Sequence, residues 1–403
     1  MTAIVFYFQA HQPYRLRRDL PGPEAGPDFF DDAENERIVR RVAERCYRPM
    51  NAILRETIER TAGRFRCAFS LSGTLLSQLE RWAPEALESF VTLARTDAVE
   101  FLCETSHHSL AYRDDPREFL EQIEAHSARI EALFGRRPTT FRNTELIIDD
   151  SVARTAEHLG FTALLGEGSE RLLGPRRPQF VYQPAVCRSL RLLLRSYVYS
   201  DDIAFRFSNK EWKGYPLMAD TFAGWLDEVP QEAHFIGLFM DYETFGEHQW
   251  TDTGILEFMK HLPGHVLDNP RFCFATPSEV AAQHRPVDRL VIPGEVSWAD
   301  AERDVSAWLG NAMQQEAHAA LYKLGPRVRR AARRGSPELL EAWRRLTTSD
   351  HVYWMATKWE SDGDVHEYFS PYRSPHDAYL VFVRVLDDIE RRVDRVLAGS
   401  TTR

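Results

Sequence analysis

Cysteine is scarce in this chain of 403 residues: Cys46, Cys67, Cys103, Cys187 and Cys273 are an odd number, widely scattered and in no Cys-x-x-Cys pair. Neither a disulfide framework nor a zinc knuckle is indicated, and reduced core thiols are the expectation. Long apolar runs are missing too. No stretch could span a bilayer, and the opening run Ile4-Val-Phe-Tyr-Phe8 lacks the basic and apolar regions of a signal peptide, so a cytoplasmic protein with no membrane partner is expected. There is no excess of positive charge: 50 Lys and Arg against 60 Asp and Glu leave -10, which repels a polyphosphate and argues against a nucleic-acid partner. Gly-x-Gly-x-x-Gly, P-loop and Gly-x-Ser-x-Gly elements are absent, which removes the nucleotide and serine-hydrolase readings. No internal repeat or low-complexity tract occurs, and nothing in the sequence sets the oligomeric state.

What the chain does have is a series of short β-rich runs: Ala3–Phe8, Phe65–Leu71, Val99–Cys103, Thr139–Arg142, Thr162–Leu165, Leu193–Tyr199, Phe235–Met240 and Phe272–Ala275. Amphipathic helical patterns such as Ile38 to Ile58 and Phe119 to Phe134 lie between them. Nearly continuous apolar strands alternating with helices predict parallel strands covered on the outside, and eight runs suit a (β/α) barrel. The length exceeds what one core usually serves, so a second, smaller domain is expected. Residues 286–293 read as a connector, which divides the chain into a catalytic barrel over 1–285 and a helical domain over 286–403 that contributes to the substrate cleft. In that second part Met313, Ala317, Leu321 and Leu324 keep a helical period, and Tyr379, Phe382, Val383, Leu386, Ile389, Val393 and Val396 form one apolar stripe. The basic run Arg327 to Arg334 reads as a solvated helix face.

Two acidic residues, Glu145 and Asp241, each follow an apolar run directly. Carboxylates at the carboxyl ends of parallel strands converge on one face of a barrel, where two can share a glycoside. His11-Gln-Pro13 after the first run and Glu104-Thr-Ser-His107-His108 after the third occupy equivalent places; either alone would suit a turn or a hydrogen-bonded loop. The ligand types His11, Glu104, His107, His108 and Asp241 could hold a divalent ion, but no tight ligand spacing such as His-Glu-x-x-His occurs, and neither metal nor cofactor is expected. Asp362 and Asp364 read as turn residues. Of the nine tryptophans, Trp212, Trp225, Trp250, Trp308 and Trp354 fall near the supposed site loops or the helical region, where an aromatic face could pack on a sugar ring.

The segments His11-Gln-Pro13, Glu100-Phe-Leu-Cys-Glu104, Phe141-Arg-Asn-Thr-Glu145 and Asp241-Tyr-Glu-Thr-Phe-Gly246 resemble the first four sequence regions of glycoside hydrolase family 57. That family holds α-amylases, 4-α-glucanotransferases and branching enzymes. Thr348-Ser-Asp-His351 and Tyr368-Phe-Ser-Pro-Tyr372 extend the likeness, which is greatest to the intracellular α-amylase-like branch. The resemblance implies an incomplete (β/α)7 barrel followed by a C-terminal helical domain, with the nucleophile after strand four and the acid after strand seven. Glu145 and Asp241 fall at those two places. The implied enzyme is a retaining α-glucan-active glycoside hydrolase acting on α-1,4-linked glucans by double displacement, with water or a sugar as acceptor. His11, Glu104, His107, Arg142, Glu243, Trp308, Asp350 and His351 are the expected substrate contacts. Two rivals stand beside this reading: a metal-dependent carbohydrate deacetylase or mannosidase on a related barrel, and a catalytically silent glucan-binding protein.

Overall fold

All nine residues of the first strand, β1 (Thr2–Ala10), are buried. A strand of that kind is covered on both faces. Ala3, Val5 and Tyr7 share an inner apolar cluster with Phe235 and Phe239, whereas Ile4, Phe6 and Phe8 belong to a larger outer one with helix residues such as Val39 and Leu54. The computed structural model describes residues 1–19, 28–358 and 370–399. In chain order the further strands are β2 (Cys67–Leu71), β3 (Val99–Phe101), β4 (Thr140–Arg142), β5 (Ala163–Glu167), β6 (Arg191–Arg195), β7 (Phe235–Asp241) and β8 (Phe272–Phe274).

β1 pairs in parallel with β2 and β7, β2 with β3, β4 with β5, and β5 with β6. Two narrower seams complete the ring. At one, Cys103 N–H donates to the Thr140 carbonyl (3.0 Å) and Arg142 N–H to the Cys103 carbonyl (2.9 Å). At the other, Ser196 N–H donates to the Gly237 carbonyl at 2.8 Å. The result is the incomplete (β/α)7 barrel. β8 stands outside it, pairing only with Thr2–Ile4 of β1, so the eighth apolar run is a strand but not a stave. The sixth run is displaced from its expected bounds: β6 ends at Arg195 and a helix begins at Tyr197. There the return path of the chain overrides the β preference of Val198 and Tyr199.

The pattern from Ile38 to Ile58 is built by α1 (Asp32–Val42) and α2 (Arg48–Arg60), joined by a π turn over Ala43–Tyr47. α3 (Pro116–Phe134) starts where the Asp115 side chain accepts from Glu118 N–H, with Pro116 in its first turn, and stops at Gly135, whose φ of 81° suits a left-handed cap. After the barrel come α4 (Ala312–Arg333), α5 (Pro337–Leu346) and α6 (Pro375–Ala398). Ala317, Leu321 and Leu324 of α4 are buried, as are Phe382, Leu386, Ile389 and Val393 of α6. The connector is stitched to the barrel, since Arg289 and Leu290 pair with Gln183 and Pro184.

The basic run of α4 is a solvated face at Arg330, Arg333 and Arg334, but not at Arg327 and Arg329. Arg329 is buried and donates to Asp115 (2.6 Å) and Glu118 (3.2 Å) at the start of α3, while Arg327 pairs with Glu390 and Asp394 of α6. The buried Arg329 guanidinium requires such partners and fastens α4 to the barrel helix, while Arg327 ties α4 to α6. The five cysteines are free thiols. Among the described residues no helix is long and apolar enough to cross a membrane. Asp362, Asp364, Tyr368 and Phe369 lie outside the described residues.

Candidate active site

Side chains alternate along each strand, so the inward series that begins with Ala3, Val5 and Tyr7 ends, at the carboxyl edge of the barrel, on polar residues. These are Gln9 of β1, Ser70 of β2, Glu104 just beyond β3, Arg142 of β4, Glu167 of β5, Arg195 of β6 and Asp241 of β7. From Glu104 round to Asp241 the ionisable groups alternate in sign. Gln9 accepts from Tyr7 Oη (2.7 Å) and Ser70 Oγ (2.6 Å) and donates to Glu104 Oε1 (3.1 Å). Arg195 donates to the Phe239 carbonyl (2.8 Å), to Glu167 (3.1 Å) and to Asp201.

Glu145 follows β4 in a tight turn, with φ of 57° in the left-handed region that a side chain disfavours. Its carboxylate meets donors on both oxygens. His108 Nε2 lies 3.1 Å from Oε1, and Trp298 Nε1–H donates to Oε2 at 2.8 Å. Burial would raise its pKa, but the hydrogen bond and charge of His108, the Arg142 charge and the Trp298 bond outweigh that and hold it below the usual carboxylate range. His108 bridges onward, its Nδ1 lying 2.7 Å from Glu104 Oε2. Burial opposes its protonation, yet Glu104 and Glu145 together raise its pKa to about 9. Glu104, despite burial, is drawn down to about 2 by His108 and Arg142.

Asp241 ends β7 in register with Gln9. Burial, then the negative charge of Glu145, push its pKa up to about 7 against the pull of Arg142, His108 and Arg195. Glu243, two residues on, accepts from His11 N–H (3.1 Å) and from Tyr47 Oη, which the π turn presents. Burial and the Asp241 charge raise it to about 8. The loop is fixed at its far end by Gly246, whose φ is 115°; a Cβ there would sit 2.1 Å from the Arg45 carbonyl oxygen, so only glycine fits.

His11 reaches across the mouth. Its ring stacks on His108 at 4.0 Å between centroids, with Nδ1 2.7 Å from Ser72 Oγ and Nε2 2.9 Å from Asp350 Oδ2. Burial and the nearby His108 charge lower its pKa, against the pull of Asp350. Glu145, Asp241, His11, Glu104, Arg142, Glu243 and Asp350 are thus brought to one mouth. Three other expected contacts are not. The His107 ring lies 2.8 Å from Ser106 Oγ and 3.6 Å from Glu341; Trp308 is buried in the core beside Tyr353, 6.0 Å between centroids; and the His351 ring packs against Trp354 and Phe382. His108 and Trp298 take the places nearest Glu145. Between adjacent histidines the choice is made by the φ of 51° at His108, which no sequence pattern announces, and Trp298 carries no motif. Among the described residues no three His, Cys, Asp or Glu side chains converge as a metal site.

The model of the family described as Glycosyl hydrolase family 57 matches residues 5–293. A protein of Methanocaldococcus jannaschii described as "Putative alpha-amylase" is 38% identical over 413 residues, which covers 98% of this chain and 86% of that one. Among solved structures, the GH57-type branching enzyme of Pyrococcus horikoshii superposes with a TM-score of 0.68 at 15% identity, covering 98% of this chain and 94% of that one. The 4-alpha-glucanotransferase of Thermococcus litoralis gives 0.64 at 14% identity; 92% of this chain is covered, and it spans 61% of that protein's length. The chain belongs to glycosyl hydrolase family 57. It shares the fold of those two structures, and within the family it is an α-glucan-active glycoside hydrolase or glucanotransferase.

Proposed function

We propose that this chain is a retaining, α-amylase-like enzyme of α-1,4-glucans, with Glu145 as nucleophile and Asp241 as general acid and base. One observation carries the reading: two carboxyl groups at the same barrel mouth are pushed apart in pKa, Glu145 toward its charged form and Asp241 toward its neutral one. Environments that split two acids in this way assign the attacking and the protonating roles. Glu145 attacks the anomeric carbon as the glycosidic bond breaks, and the leaving oxygen takes the Asp241 proton. Asp241, now a carboxylate, removes a proton from water or a sugar hydroxyl, whose oxygen displaces Glu145. His11, Glu104, Arg142, Glu243 and Asp350 shape the sugar site. Trp308 and His351, by their placement, act through packing, and His107 through its contacts with Ser106 and Glu341.

In this reading residues 1–285 form the catalytic barrel, and residues 286–403 complete the cleft with Trp298 and Asp350. A cytoplasmic setting is supported by the five free thiols. Two measurements test the proposal. Incubation with 5-fluoro-α-glucosyl fluoride should leave a sugar on the peptide holding Glu145; a label on another carboxylate, or none with an active enzyme, overturns the assignment. Incubation with maltooligosaccharides and glycogen, with products resolved by chain length, shows hydrolysis as shorter chains and transfer as longer ones.

A further inference from the structure

Between the barrel and α4 the chain crosses the barrel mouth as a short strap over residues 296–303. Val296 forms an antiparallel bridge with Ile148, each N–H donating to the other's carbonyl at 2.9–3.0 Å. The strap then closes on itself: Ser297 N–H donates to the Arg303 carbonyl (3.1 Å), and Arg303 Nη1 donates to the Trp298 carbonyl (2.7 Å). Asp300 and Arg303 sit at φ of 54° and 53°, values that residues with a Cβ adopt only when the surroundings impose them. Those surroundings are visible. The Arg303 guanidinium reaches Asp201 (3.3 Å) and Glu167 (3.5 Å), and Lys358 donates to Asp300 (2.7 Å) and Glu302 (2.9 Å).

So anchored, the strap holds Glu145 at both its backbone and its carboxylate. Ser297 Oγ donates to the Glu145 carbonyl (2.9 Å), supporting its left-handed backbone, and Trp298 Nε1–H donates to Glu145 Oε2 (2.8 Å). The indole ring is itself held, with the Arg142 guanidinium 5.1 Å and that of Arg195 5.7 Å from its centre. We propose that Trp298 is a positioning residue for the double displacement, its indole N–H fixing the rotation of the Glu145 carboxylate so that a free lone pair faces the anomeric carbon. When the bond from Glu145 to that carbon breaks in the second step, the electron pair returns to the carboxylate, and the same N–H stabilises it. The inference rests on Glu145 being the nucleophile.

Two variants test it. Trp298→Phe keeps an aromatic ring against the two guanidinium groups and removes the donor; β-(3-benzothienyl)alanine at position 298 keeps the full bicyclic shape with sulfur in place of the N–H. With a hydrogen bond to a charged group lost, kcat should fall about tenfold or more while KM changes little. The acid limb of the kcat/KM profile, where Glu145 takes up a proton, should move upward by about half to one pH unit. A tryptophan that merely fills the mouth predicts otherwise: the benzothienyl variant would keep its rate and its acid limb, and that result overturns the proposal even if Trp298→Phe folds poorly. Glu145→Gln that still turns over would sink the nucleophile reading instead, so the two failures are told apart.

Discussion

The two carboxyl groups at the barrel mouth are set in opposite surroundings. Glu145 has a donor on each oxygen and two cationic groups nearby, His108 and Arg142. Asp241 is as deeply enclosed, yet it feels the Glu145 charge, and among the described residues no hydrogen bond to its side chain offsets its burial. The difference teaches how one barrel can make two acids unlike: donors meet Glu145, which is held toward its charged form, and Asp241 is held toward its neutral one.

The largest expected effect removes one side of this comparison. Glu145→Gln should lower turnover on every α-glucan by roughly 10⁴-fold or more, because no covalent intermediate can form. Added azide should not restore a product of retained configuration. Asp241→Asn should slow natural glucans by about 10²–10⁴-fold but spare glycosylation by an aryl glycoside with an acidic phenol. In that variant the intermediate accumulates, and azide, which needs no base, releases a sugar azide with retention. The role assignment fails if natural glucans are cleaved at the parental rate.

The same contrast sets the pH dependence. Since Asp241 must carry its proton and its pKa is raised to about 7, kcat/KM should fall about tenfold per unit as pH rises above that value. The decline should vanish in Asp241→Asn with the aryl glycoside. An effect of similar size comes from the other side: His108→Gln keeps a donor but deletes the charge, so the acid limb belonging to Glu145 should move upward and kcat/KM should drop about tenfold. A limb that stays in place would show that His108 acts through shape alone. The smallest effect is at the neighbouring histidine. His107→Ala removes contacts with Ser106 and Glu341, neither of them at Glu145 or Asp241, and kcat/KM should change less than twofold.

Much of this was legible in the sequence. Strands covered on both faces leave continuous apolar runs, so all eight strands and the two acids could be found, though not which run lies outside the barrel, and the helical stripe of α6 is where its period puts it. What escaped depends on backbone detail and on long-range meeting. His107 and His108 are chemically identical, and a single positive φ decides which faces Glu145. Trp308 looked like a sugar platform because it lies in the helical region, yet packing buries it, while Trp298 arrives from a loop with no repeat or motif. Arg195 sits inside a barrel, where a charge is unexpected until Glu167 and Asp201 are seen beside it.

The strap also bears on how the site comes into being. Glu145 and Asp241 both lie within the segment that the family model spans, residues 5–293, but Trp298 and the Asp350 partner of His11 lie beyond it. A chain cut after residue 293 would hold both reacting acids and neither of these late supports. During synthesis the same order applies in time: Glu145 and Asp241 leave the ribosome before Trp298 and Asp350. On the proposed roles, a nascent barrel would carry both acids before it carries the indole and the carboxylate that support its mouth.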